Sequence, residues 1–72
     1  MDIQPFELDL VDHYLRFIIS KPIRVPTACW LFSDLLGWVD SKVRQVLYKL
    51  QEDRRIRIDN GGWIYTEEIT KL

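Results

Sequence analysis

Between Phe32 and Leu50 the chain sets out a spacing that few arrangements can satisfy: a small residue at Ser33, a glycine at Gly37, branched aliphatics at Val43 and Val46, and apolar Phe32, Leu36 and Trp38 between them. The spacing suits two helices that cross steeply over a turn of three or four residues, which forces their backbones close together. Ser33 falls where a large side chain would collide with the second helix. Gly37 falls where the first helix ends and the chain most easily takes a positive φ. Val43, Val46, Leu47 and Leu50 form the i, i+3, i+4, i+7 stripe of an amphipathic helix. Asp40 or Ser41 stands just ahead of that stripe as an N-cap, so the second helix is expected over 40–53.

Downstream, Arg55-Ile56-Arg57-Ile58 alternates at the strand period and runs into Asp59-Asn60-Gly61-Gly62. Asn-Gly is the strongest short-range hairpin signal. With Asn60 and Gly61 as a two-residue turn, Ile58 faces Trp63, Arg57 faces Ile64, Ile56 faces Tyr65 and Arg55 faces Thr66. Ile56, Ile58, Trp63 and Tyr65 then make the core face, and Arg55 and Arg57 point outward with Ile64 and Thr66. A one-residue slip would destroy that sorting. The hairpin is expected over 55–67.

Upstream, Ile23-Arg24-Val25 lies between Pro22 and Pro26 and suits a brief edge strand over 23–25. Thr27 can cap a helix over 27–36, and a further helix is expected over 6–20, with Pro5 and Pro22 at its borders. The whole is one α+β domain, 1–72, with three helices, a short strand and a C-terminal two-stranded hairpin. Its 72 residues are near the lower size at which one apolar core suffices without disulfides, metal or a partner chain. Self-association is thus plausible on stability grounds alone.

The run Ser33-Asp34-Leu35-Leu36-Gly37 through Val43-Arg44-Gln45-Val46-Leu47-Tyr48-Lys49-Leu50, with the glycine-containing hairpin from Ile56 to Tyr65, resembles the winged helix-turn-helix family. The resemblance extends from the first helix to Tyr65. One departure is Arg54-Arg55, where many members of the family have a glycine at the end of the second helix. The resemblance implies that the helix beginning near Ser41 enters the DNA major groove and that its outward N-terminal residues meet base edges. Setting the core stripe aside leaves Ser41, Lys42, Arg44, Gln45, Tyr48 and Lys49 facing away from the body. Arg44 suits a bidentate contact to guanine and Gln45 one to adenine, while Ser41, Lys42 and Tyr48 suit phosphates or bases. Arg55 and Arg57, on the outer face of the wing, suit the DNA backbone or the minor groove.

Charge distribution points the same way more than net charge does. The chain carries −1 overall, which argues against strong sequence-independent binding to nucleic acid. From Met1 to Ser20, four acids stand against one base, whereas from Ser41 to Ile58 six bases stand against two acids. The positive part is the part that resembles a DNA reader, although a charge run is often only a solvated face.

Catalytic chemistry finds little support. His13 is the only histidine and falls on the polar arc of the first helix beside Asp9 and Asp12, where a solvated histidine is the simpler reading than a catalytic or metal role. Cys29 sits among Ala28, Trp30, Leu31 and Phe32 and reads as a small core hydrophobe rather than a nucleophile. Glu67 and Glu68 are adjacent, so they do not converge on one substrate. Gly61-Gly62 is better explained by a turn than by a phosphate loop. No catalytic residue, metal ligand or small-molecule cofactor is therefore expected. With one cysteine, no signal-peptide pattern and no apolar run of about eighteen residues, the chain is expected to be soluble and cytoplasmic, with no membrane partner.

The first helix carries two apolar stripes, Leu8, Val11, Leu15, Ile18 and Ile19 on one side and Phe6, Leu10, Tyr14 and Phe17 on the other. A core of this size usually consumes one. The second, joined by Trp30, is either extra core or the interface of a homodimer or protein partner, and the interface stands slightly ahead. The leading expectation is a sequence-specific double-stranded DNA-binding protein, a small transcription regulator of prokaryotic, phage or mobile-element type. Its main rival is a winged helix used as a protein-interaction module through the aromatic-rich first two helices. RNA binding, or a role as one domain of a replication or recombination protein, is a more distant third. Fold analogy alone does not separate these uses.

Overall fold

A computed structural model describes residues 3–66. The first helical element begins as α1 (Pro5–His13) and passes directly into a π-helical segment, Tyr14–Ile19. Pro5 occupies the first turn of α1, where its missing N–H leaves no hydrogen bond unmade. The Gln4 amide donates to Glu7 Oε1 at 2.9 Å, which fastens that turn. In the π-helical segment, i→i+5 bonding places more residues in each turn and turns the apolar stripe away from its α-helical course. Leu8, Val11 and Leu15 are buried and Ile19 is half-buried, but Ile18, expected on the core stripe, is 60% exposed. The segment closes on Ser20 in the left-handed region at φ 51°, with the Ser20 amide donating to the Leu15 carbonyl.

Strand β1 is Ile23–Arg24, and α2 runs Val25–Leu36. Helix α2 thus starts two residues before the expected Thr27 cap, and the strand is shorter than 23–25. Pro26 explains both, because in the first turn of a helix it needs no N–H partner and its fixed φ already suits the helix. Gly37 ends α2 at φ 71°, its amide donating to the Ser33 carbonyl at 2.9 Å. Helix α3 is Asp40–Glu52. Its N-cap is Val39, not Asp40 or Ser41: the Val39 carbonyl accepts from the Lys42 and Val43 amides, and the Asp40 carboxylate instead accepts from the Ser33 hydroxyl at 3.2 Å. That bond ties α3 to α2 across the turn.

The C-terminus of α3 closes in a way that glycine usually serves. Arg54 takes φ 63°, its amide bonds the Gln51 carbonyl, and the Arg55 amide bonds the Leu50 carbonyl at 2.9 Å, the paired bonds of a Schellman motif.

Strands β2 (Ile56–Ile58) and β3 (Trp63–Thr66) complete a three-stranded antiparallel sheet in the order β1-β3-β2. The hairpin register is one residue away from the expected one. Ile58 pairs with Ile64, Arg57 with Tyr65 and Ile56 with Thr66. The turn has three residues, not two. The Gly62 amide donates to the Asp59 carbonyl, the Asp59 amide donates to the Trp63 carbonyl, and Gly62 takes φ 81°. This is a turn followed by a left-handed glycine, the usual three-residue hairpin loop. Asp59 reinforces it, its Oδ1 accepting from the Gly61 and Trp63 amides at 2.9 Å each. The slip exchanges faces. Ile56 and Ile64 are buried with Ile58 half-buried against them, while Trp63 and Tyr65, expected in the core, lie on the solvent side with Arg57.

The core joins Val11 and Leu15 from the first helical element, Ala28 and Phe32 from α2, Val43, Val46, Leu47 and Leu50 from α3, and Ile56 and Ile64 from the sheet. Cys29 is buried within it. No helix among the described residues is long and apolar enough to cross a membrane.

Candidate functional site

With Val43, Val46, Leu47 and Leu50 inward, α3 presents Ser41, Arg44, Gln45, Tyr48 and Lys49 to solvent. Lys49 reaches back toward Glu52 at 3.8 Å, a long and solvated pair that leaves its charge on the surface. A three-residue link, Gly37–Val39, joins α2 to α3.

Two of the bases expected on the same surface point elsewhere. Lys42 Nζ sits 2.6 Å from Glu7 Oε2 and 4.5 Å from the centre of the Trp38 ring, so it is held between α1 and the interhelix turn. Arg55 donates through Nε and Nη2 to Asp12 Oδ2, at 3.2 and 2.7 Å, and its Nη2 lies 2.9 Å from Asp9 Oδ1. Arg16 joins them, donating to Asp12 Oδ1 at 3.1 Å and to the Arg55 carbonyl at 3.3 Å. Glu7 and Asp12, both buried, therefore stitch the first helix to α3 and to the start of β2. The Lys42 ammonium, followed by the Gln4 amide, holds the Glu7 carboxyl below its ordinary range against the opposing effect of burial. For Arg55, burial works against the charge, and the Asp9 and Asp12 contacts more than offset it.

Arg57 lies on the solvent face of the sheet, its guanidinium 4.4 Å from the centre of the Tyr65 ring. It is therefore grouped with Tyr65 and Trp63 and not with α3. The aromatic stripe of the first helix divides as well. Phe6, Phe17 and Trp30 are 67%, 66% and 68% exposed, whereas Leu10 and Tyr14 are half-buried, Tyr14 meeting Phe32 edge-on at 5.9 Å. His13 is exposed and leans on Phe17, with ring centres 5.2 Å apart. Burial pushes the Cys29 thiol up, away from the thiolate a nucleophile needs. No group of three metal-ligating side chains occurs among the described residues.

Reading the hairpin as a two-residue turn hides one grouping, the solvent face of the sheet. Arg24 pairs with Trp63 across β1 and β3, and Arg57 with Tyr65 across β3 and β2. The second glycine at Gly62 is the signal that locates it, since it permits the longer turn and the other register. In comparison with known proteins, no family model, no curated protein and no solved structure matches this chain.

Proposed function

We propose that the protein is a winged helix-turn-helix DNA-binding protein, a small cytoplasmic transcription regulator that reads duplex DNA with the outward face of α3. The observation that carries this reading is a helix whose inner stripe is fully buried while Ser41, Arg44, Gln45, Tyr48 and Lys49 stand exposed on its other side. Inserted in a major groove, Arg44 offers a fork to guanine O6 and N7, and Gln45 a donor and acceptor to adenine. Ser41, Tyr48 and Lys49 serve phosphates. Lys42 and Arg55 are occupied by carboxylates, so few cations remain for the backbone. Affinity then rests on base contacts, or on a second copy that doubles them.

Fluorescence anisotropy with random duplexes at about 50 and 200 mM salt, followed by sequencing of the bound fraction, tests this. The proposal expects binding that weakens with salt and an enriched motif that Arg44→Ala abolishes. Absence of binding at the lower salt overturns it.

A second reading has its own observation. Phe6, Phe17 and Trp30 are large apolar side chains each about two-thirds exposed, the residue type from which apolar interaction patches are built. They suit a protein partner or homodimer. Phe17→Ala, which leaves the Tyr14–Phe32 contact intact, should abolish that association and spare duplex binding.

A further inference from the structure

The solvent face of an antiparallel sheet is usually polar, but here it carries aromatic rings set between cations. Trp63 is 41% exposed on the central strand β3, with Arg24 of β1 5.9 Å from its ring centre. Two residues on, Tyr65 lies beneath the Arg57 guanidinium of β2. The two rings are roughly 7 Å apart along the strand, from a rise of about 3.4 Å per residue. The Trp63 ring also lies against Gly61, where an added Cβ would come within 3.2 Å of it. Tyr65 then forms one wall of a cavity of about 250 Å³ whose other walls include Arg16, Ser20, Lys21 and Thr66. Among the described residues, Lys21 is exposed and makes no ion pair.

We propose that this face binds single-stranded nucleic acid, with bases stacking on Trp63 and on the Arg57–Tyr65 pair, and a phosphate held in the adjoining cavity by Lys21 and Ser20. Every base has a π-face, so aromatic rings and guanidinium planes accept unpaired bases with little regard to sequence, and neighbouring cations follow the backbone. Arg24 and Lys21 supply those cations. A duplex cannot use the rings, because its bases are already stacked on one another. This surface is therefore separate in chemistry and in position from the outward face of α3.

The test is anisotropy of labelled oligothymidylate and oligouridylate titrated with the full chain at low salt, with tryptophan emission followed in parallel. Binding should weaken steeply with salt and quench emission. Trp63→Leu should weaken it roughly tenfold and remove most of the quench although Trp30 and Trp38 still emit; Lys21→Ala should weaken it less and lower the salt slope. Equal affinity for the two oligomers supports recognition of single strands in general, and preference for oligouridylate supports a contact to the ribose 2′-hydroxyl. Two results overturn the proposal: no binding of either oligomer at low salt, or unchanged affinity and quench in a Trp63→Leu protein whose circular dichroism shows it folded.

Discussion

Lys42 and Arg44 are two residues apart on one helix and have opposite fates. Lys42 turns under the helix to Glu7 and Trp38, and Arg44 stands in solvent. The same split recurs in the hairpin, where Arg55 is clamped by Asp9 and Asp12 while Arg57 lies on the outer face of the sheet. The acidic first helix and the basic remainder are therefore partly halves of one internal seam. A cation in that seam holds the fold together, whereas Arg44 and Arg57 lie on the surface outside it. Composition cannot tell the two apart, since they are the same residue types in the same stretch of chain.

The largest effect should come from the centre of the seam. Asp12 accepts from both Arg16 and Arg55, so Asp12→Ala removes the carboxylate the two guanidinium groups share and leaves Arg55 with Asp9 alone. Fully buried pairs lose about 3–5 kcal/mol in this way. With the Arg55 side chain still 33% exposed, solvent screening lowers the expectation to about 2 kcal/mol, a melting shift on the order of 10 °C for so small a domain. The exposed Asp34 is the control, and equal melting temperatures for Asp34→Ala and Asp12→Ala would remove the seam from the account of stability.

Glu7 carries the next effect, which shows as pH dependence. Its carboxyl is held below the ordinary value of 4.5 by Lys42 and the Gln4 amide. The stabilisation is thus fully present above that value and is lost as pH falls through the lower, folded-state one. Urea midpoints recorded from about pH 5 downward should fall less steeply in Glu7→Gln than in the parent. Parallel curves would mean that the Glu7–Lys42 contact does not couple to folding.

Arg54 belongs to neither set, since its backbone conformation is what the fold uses. Holding a side chain in the left-handed region costs about 1–2 kcal/mol, while glycine at the same place costs roughly 0.5–1 kcal/mol more in unfolded-state entropy. Arg54→Gly should therefore stabilise the protein by about 0.5–1 kcal/mol while removing a surface charge. Destabilisation measured by urea titration would show that the Arg54 side chain contributes a contact.

Where the reading of the sequence succeeds and fails follows from the range of the forces involved. The α3 stripe and the glycine at Gly37 are local, periodic signals, and Val43, Val46, Leu47 and Leu50 are all buried as the stripe requires. The hairpin register depended on one glycine more or less in a turn. Asn60-Gly61 suits a two-residue turn, but Gly62 in the left-handed region together with the Asp59 side chain selects three residues, and that choice moves Trp63 and Tyr65 from core to surface. The π-helical winding after His13 has no evident local signature, and it displaces Ile18. Least legible were the ion pairs of the seam. The Asp12–Arg55 contact spans 43 positions and Glu7–Lys42 spans 35, separations that no periodicity reports.

The smallest effect on stability is the sharpest on the comparison. Arg44→Ala removes an exposed side chain and should change stability by less than about 0.5 kcal/mol. Lys42→Ala leaves the buried Glu7 carboxylate without its ammonium and should cost clearly more. On the proposed reading of α3, duplex binding should order the two the other way. A cation that neutralises a phosphate contributes about one unit to the salt slope, and one that reads guanine contributes about 1–3 kcal/mol of discrimination. Arg44→Ala should therefore lose specific binding with its melting temperature intact, and Lys42→Ala should keep the parent's salt slope while melting earlier. If Lys42→Ala instead lowered the slope by about a unit, the Glu7 pair would have to open on DNA. The seam and the reading face would then be one surface in two states, with α1 released from α3 as the duplex takes over Lys42.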